Sequence, residues 1–176
     1  HAVALEEWNG ARLLDAAGQP VALKIYIDEG VSLAGPNSAL ANSGFIAAIA
    51  DAVEGDDTGE QSGWRAAGIP TAVLPARALA VPVVAHLEVD RTVTVPTTIT
   101  RVRDAILAFF AELPISGISL TGDLQGQLRI ARLQNAIDDV PGVLRATLRS
   151  PLADVGVPIG YKAVAQSLAI TGEVVL

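Results

Sequence analysis

Val21, Leu23, Ile25 and Ile27 alternate with Ala22, Lys24, Tyr26 and Asp28, a two-residue period that predicts a strand with one buried face. The twenty residues before it read as short strands joined by turns, at Asn9–Gly10 and at Gly18–Gln19–Pro20. "GVSLAGPNSALANS" has no period and reads as loop. From about Ser43, the expected N-cap, a helix should place Phe45, Ile46, Ile49, Ala52 and Val53 on one side. The polar stretch "EGDDTGEQSG" must then be exposed.

The second half is patterned more sharply. "IPTAVLPARALAVPVVAHLEVDRTVTV" predicts a short strand, a proline-marked break and a long strand. In the long strand Val83, Ala85, Leu87 and Val89 face inward, and His86, Glu88 and Asp90 face out. Pro96 should end that strand and Thr97 or Thr98 cap a helix. On this helix Ile99, Val102, Ile106, Phe109 or Phe110, and Leu113 recur at helical spacing. After "PISGISLTGDLQG", a second helix puts Ile130, Leu133, Ile137 and Val140 on one face and stops at Pro141–Gly142. "VLRATLRSP" alternates as a strand, and "SLAITGEVVL" is the last one. This order predicts an α+β fold of two small lobes, residues 1–77 and 78–176, each a mixed or antiparallel sheet packed against helices.

Composition narrows the function. The chain is 51% hydrophobic but only 4% aromatic, which suits closely spaced helices and strands better than a large aromatic pocket. Its net charge of −7 argues against nucleic acid as a partner, because phosphate binding needs a concentrated basic face. No apolar run approaches the ~20 residues of a membrane span. Without cysteine there are no disulfides or thiolate metal sites. Without methionine, His1 is expected to be a tag remnant on a fragment of a longer protein.

Each polar motif has a plain reading beside its chemical one. Asp138 and Asp139 are neighbours on a helix and point about 100° apart, so they do not converge on one substrate atom. They read as the polar, fraying end of that helix. Glu54, Asp56, Asp57 and Glu60 are the one conceivable calcium loop, but they lack the spacing of such a loop and read as solvated. His86 is mid-strand, and "GISLTG" is one residue too long for a nucleophile elbow, so no hydrolase triad is expected. No phosphate-binding glycine loop is present, and two isolated histidines make no metal site. Arg145 and Arg149 share a strand face, as do Glu88 and Asp90. If those strands pair, the four form cross-strand ion pairs or line an interface. No catalytic residue, cofactor or metal is expected.

Three passages carry a resemblance: "ITRVRDAILAFFAELPISGISL", "LRIARLQNAIDDVPGVLRATLRSP" and "VPIGYKAVAQSLAITGEVVL". A striped helix with a proline-containing end, a second helix stopped at Val140–Val143, a strand, a Ser150–Pro151 turn and a glycine-opened last strand follow in order. The pattern resembles the C-terminal region of baseplate J-like proteins of contractile-tailed phages and related injection machines. "VALKIYIDEG" and "GWRAAGIPTAVLPARALAVPVVAHLEVD" extend the likeness to about residue 20, while the acidic insert before Trp64 departs from it.

The resemblance implies a non-enzymatic wedge component of the virion tail baseplate, made in the host cytoplasm. Its implied partners are other baseplate and tail subunits, with a homo-oligomer possible in the full assembly. A small-molecule-binding α+β regulatory module is the competing reading, since lobes of this kind also hold ligands.

Overall fold

The computed structural model describes residues 2–5, 13–14, 20–21, 23–55, 63, 71–117 and 126–175. The fold is α+β and divides into two compact units, His1–Glu29 with Ala39–Ala76, and Gly30–Ser38 with Arg77–Leu176. The turns expected at Asn9–Gly10 and Gly18–Gln19 lie outside the described residues, as do Asp56, Asp57 and Glu60 of the acidic loop and Ile118–Gly122 of "GISLTG".

In the first unit the strands are β1 (Ala2–Leu5), β2 (Leu13–Leu14), β3 (Pro20–Val21), β4 (Leu23–Ile27) and, after helix α1 (Ser43–Glu54), β5 (Thr71–Pro75). β4 is the middle strand, antiparallel to β1 and parallel to β5, while β2 and β3 pair with each other. A parallel pair needs a crossover, and α1 supplies it. The expected alternation in β4 is blurred. Lys24, Ile25 and Tyr26 are all half-buried, and Asp28, expected on the open side, is buried.

The cap of α1 is Asn42, one residue before the expected Ser43. Its Oδ1 accepts from the Phe45 N–H at 2.9 Å, and its Nδ2 donates to Glu29 at 2.7 Å. Ile46, Ile49 and Val53 are half-buried as predicted, but Phe45 and Ala52 are exposed, and no residue of α1 is fully buried.

The second unit holds β6 (Arg77–Asp90), α2 (Val95–Glu112), β7 (Gly126–Leu128), α3 (Ile130–Asp138), β8 (Val143–Ser150), β9 (Val155–Val157) and β10 (Tyr161–Val175). Its main sheet runs β10–β6–β8, with β10 parallel and β8 antiparallel to β6. Val83, Ala85, Leu87 and Val89 alternate inward as predicted and meet Val102, Ile106 and Phe110 of α2, its C-cap Leu113, and Leu133 and Ile137 of α3. β7 and β9, short strands with no readable period, pair antiparallel and bury Leu128 and Val157 against the same core. β10 also begins well before the expected "SLAITGEVVL".

Pro82 sits in the central strand, where its missing N–H would break a ladder. The structure answers with a register shift in β10 between Ala165 and Ser167, and with the Ser150 hydroxyl donating to the Pro82 carbonyl at 2.9 Å. Residues 30–38, expected as loop, run beside this unit: the Ala165 N–H donates to Ser32 and the Ala165 carbonyl accepts from Ala34. The strand ends at Asp90 rather than Pro96. Pro96 instead lies in the first turn of α2 behind Thr94, where an N–H would have no helical partner anyway.

Candidate functional site

The helices cover one face of the β10–β6–β8 sheet, and the other displays the polar half of each strand. Pairing sets these residues level in rows. Glu173 of β10 stands beside Glu88 of β6, which stands beside Arg145 of β8. In the next row Thr171, His86 and Thr147 are aligned.

Arg145 and Glu88 meet at 3.9 Å, with the arginine side chain 72% exposed. A pair this long and this wet contributes about 0–1 kcal/mol. Arg149 and Asp90 do not join them. Arg149 falls at the far end of β8, where the register shifts, and among the described residues it makes no ion pair. Asp90 is committed to the turn after its own strand: Oδ1 accepts from the Thr92 N–H at 2.7 Å and the Thr92 hydroxyl at 2.6 Å. Those bonds favour the charged form and hold its pKa below the usual value of 3.8.

His86 lies between two β10 side chains, with Nδ1 3.0 Å from the Thr171 hydroxyl and Nε2 3.4 Å from Glu173. Hydroxyl, imidazole and carboxylate thus stand in the order of a hydrolytic triad, which the sequence reading missed because the partners are 85 and 87 residues away. The placement does not suit that chemistry. A tetrahedral intermediate needs donors aimed at its oxyanion, and the strands' own N–H groups lie in the plane of the sheet, not above the face where the hydroxyl sits. Among the described residues no three histidine or acidic side chains are placed to hold a metal ion.

The open, charge-bearing sheet backed by two helices occupies the stretch that a comparison with known families selects. The sequence model for the baseplate J-like protein C-terminal domain matches residues 81–171, just over half of the chain. The chain belongs to the baseplate J-like family. No characterised protein compared with the chain matches it. The baseplate J-like match covers both helices and most of the main sheet, and it makes this chain a structural component of the phage tail baseplate. No helix among the described residues is long and apolar enough to cross a membrane.

The remaining polar groups of the baseplate J-like domain hold its frame. Asp138 is not a fraying end. Its Oδ1 accepts from the Ala146 N–H of β8 at 3.1 Å, and its Oδ2 accepts from Gln134 Nε2 at 3.0 Å. Gln134 Nε2 also donates to the Ala146 carbonyl at 2.8 Å, so both outward backbone groups of Ala146 are engaged by α3 side chains. Asp139 is the C-cap residue of α3, and its N–H donates to the Asn135 carbonyl at 2.9 Å. Glu54, from the expected acidic loop, bonds the Thr71 hydroxyl. Lys162 is fully buried and donates to the Ala111 carbonyl at 3.0 Å, at the C-terminal end of α2 where the helix dipole favours a cation.

Asp154, in the turn after β8, caps α3 from outside. Arg129 at the N-cap position makes no side-chain cap, and Asp154 Oδ1 accepts from the Ile130 N–H at 2.8 Å while Oδ2 pairs with Arg129 at 2.7 Å. The Ile130 N–H first, and Arg129 second, hold the Asp154 carboxyl below its usual value of 3.8. A lowered folded-state pKa adds stability that is full above the unfolded value and is lost as pH falls through the folded one. Asp154→Ala is therefore expected to be less stable than the native chain at pH ~7, with the two urea midpoints converging toward pH ~2. A difference that persists undiminished at the acid end would remove Asp154 from this role.

Proposed function

We propose that this domain acts as a wedge piece of the baseplate: copies arranged around a hub, gripping neighbouring subunits and passing the contraction signal toward the sheath. It assembles in the host cytoplasm, and its lobes, residues 1–77 and 78–176, serve as separate bodies, the second carrying the contact. The observation that supports this most is the open sheet face, where Arg145, Arg149, Glu88 and Asp90 stand on a rigid support. That face carries a large exposed charge content. Arginine in place of lysine suits an interface, since its planar fork is ordered at lower entropic cost.

A photo-reactive residue at position 145 or 149, activated in a tail-assembly lysate, tests this reading. Crosslinks to baseplate or tail subunits from both positions, and none from a site on the buried face of α2, are the expected result. Crosslinks absent from both positions in assembled baseplates would sink the assignment of this face.

A further inference from the structure

β10 is an outer strand of the β10–β6–β8 sheet, and its two halves differ in what lies beside them. In a level parallel pair one residue bonds across to the neighbouring strand, and the other turns its backbone groups away. Pro82 turns its carbonyl toward β8, where the Ser150 hydroxyl meets it, so Ser167, level with Pro82, faces β6. By alternation Leu168, Ile170, Gly172 and Val174 direct their N–H and C=O groups outward. The first half of this edge is already paired. Leu33 lies level with Ala165 in parallel sense, Ala165 bonds both Ser32 and Ala34, and the Tyr161 carbonyl accepts from the Ser116 N–H. Beyond Ala165, no backbone group among the described residues pairs with the edge.

The free half lacks the usual deterrents to strand addition, which are proline, lysine and a bulge. From Leu168 to Val175 there is no proline or lysine, Glu173 is the one charged residue, and the bulge lies earlier, between Ala165 and Ser167. Leu168 and Ile170 are half-buried against the core, and Val174 is 45% exposed beyond them. A further strand would extend this apolar border with side chains of its own.

Charge specifies one of them. Arg145, Glu88 and Glu173 stand level on three successive strands, with the cation at one end and two carboxylates side by side. Glu173 has His86 Nε2 at 3.4 Å and makes no ion pair with arginine or lysine among the described residues. Neighbouring like charges on adjacent strands repel, and the place for a balancing cation is one strand further out.

We propose that the edge from Leu168 to Val174 receives an extended segment of a neighbouring baseplate or tail subunit. That segment carries apolar side chains at alternate positions and a lysine or arginine level with Glu173. The proposal rests on the reading that this domain grips neighbouring subunits, and it names how one of them is held.

Amide exchange, read residue by residue in the chain alone and in assembled baseplates, tests it. In the chain alone the N–H groups of Leu168, Ile170, Gly172 and Val174 should exchange about a hundredfold faster than those of Ala169, Thr171 and Glu173, which face β6. Assembly should slow the outward set into the range of the inward one, a pattern that burial of a face does not produce. Val174→Pro removes an outward donor and sets its ring where the guest strand would lie, while the bonds to β6 remain. It should keep its urea midpoint and enter baseplates about tenfold less well. A photo-reactive residue at position 171, in a mixture of isotope-labelled and unlabelled copies, should capture a segment of another subunit with the stated pattern.

Slow outward amides in the chain alone would show that the chain covers its own edge, and would overturn the proposal. So would outward amides left unprotected on assembly, or capture of a second copy of this chain. In those cases the wider reading stands if crosslinks from positions 145 and 149 still reach other subunits. If these are lost as well, that reading fails with it.

Discussion

Phe110→Ala is expected to lower the unfolding free energy of the second unit by about 3–5 kcal/mol. Phe110 is fully buried on the inner face of α2, in line with Val102 and Ile106. Its ring meets Phe109 edge-on, with centroids 5.6 Å apart and planes at 79°. The chain has only three phenylalanines, and the rest of this core is built from Val, Leu, Ile and Ala. Such side chains, already seated between strands and helices, have little reach to fill the hole, so most of the cavity cost remains. Urea denaturation should show a lower midpoint with an unchanged slope, while Phe109→Ala, at a half-buried position, should cost less. A loss below about 1 kcal/mol for Phe110→Ala would mean the core is loosely packed and this account of it is wrong.

Gly126→Ala should be about as damaging, for a different reason. A methyl at Gly126 would overlap the Ser116 carbonyl oxygen and lie 2.6 Å from the Gly117 carbonyl carbon. These are backbone atoms and cannot turn aside. Gly117 answers from the other side: its φ is +73°, and a methyl there would stand 2.8 Å from the Gln127 nitrogen. The two segments touch main chain to main chain, and this contact sets β7 where Leu128 can enter the core. A cost of about 3 kcal/mol is expected, at the upper end for overpacking, with faster amide exchange at Leu128 and Val157. Gly156→Ala is the control. It lies on the paired strand β9 with nothing within 4 Å of its methyl, and should change stability by less than about 1 kcal/mol.

Much of the second unit was legible because its periods are long and clean. The alternation from Val83 to Val89 and the stripe from Val102 to Leu113 each run through several repeats, enough to set both the element and its buried side. Three-residue strands such as β7 and β9 carry no period, and they exist only because the chain between α2 and α3 returns to the turn after β8. Capping was legible in kind but not in position. The rules favour a polar residue before the helix and point to Ser43, whereas the cap is Asn42, and α3 takes its cap from Asp154, 24 residues onward.

The candidate site was legible to the same degree. Glu88 and Arg145 were expected to face each other if their strands paired, and a local sequence pattern says nothing about that pairing. Asp90 and Arg149 share those strands but are drawn to a turn and to an irregular end, and only the register separates them. His86 looked solitary because Thr171 and Glu173 belong to the last strand, whose parallel placement beside β6 no spacing rule supplies. The resemblance to baseplate J-like proteins reached further than periodicity because it reads the order of elements rather than any one of them.

The hold that Gln134 and Asp138 keep on Ala146 bears on what can add to the edge of the sheet. The rim of a sheet is a template on which a foreign strand can lengthen the ladder, and a repeat of that event has no natural end. Along β8 a newcomer would have to displace a carboxamide and a carboxylate already seated on the backbone. Lateral growth into a filament is therefore opposed at that rim. The edge of β8 is thereby closed to the open-ended addition that would turn a single part into a polymer.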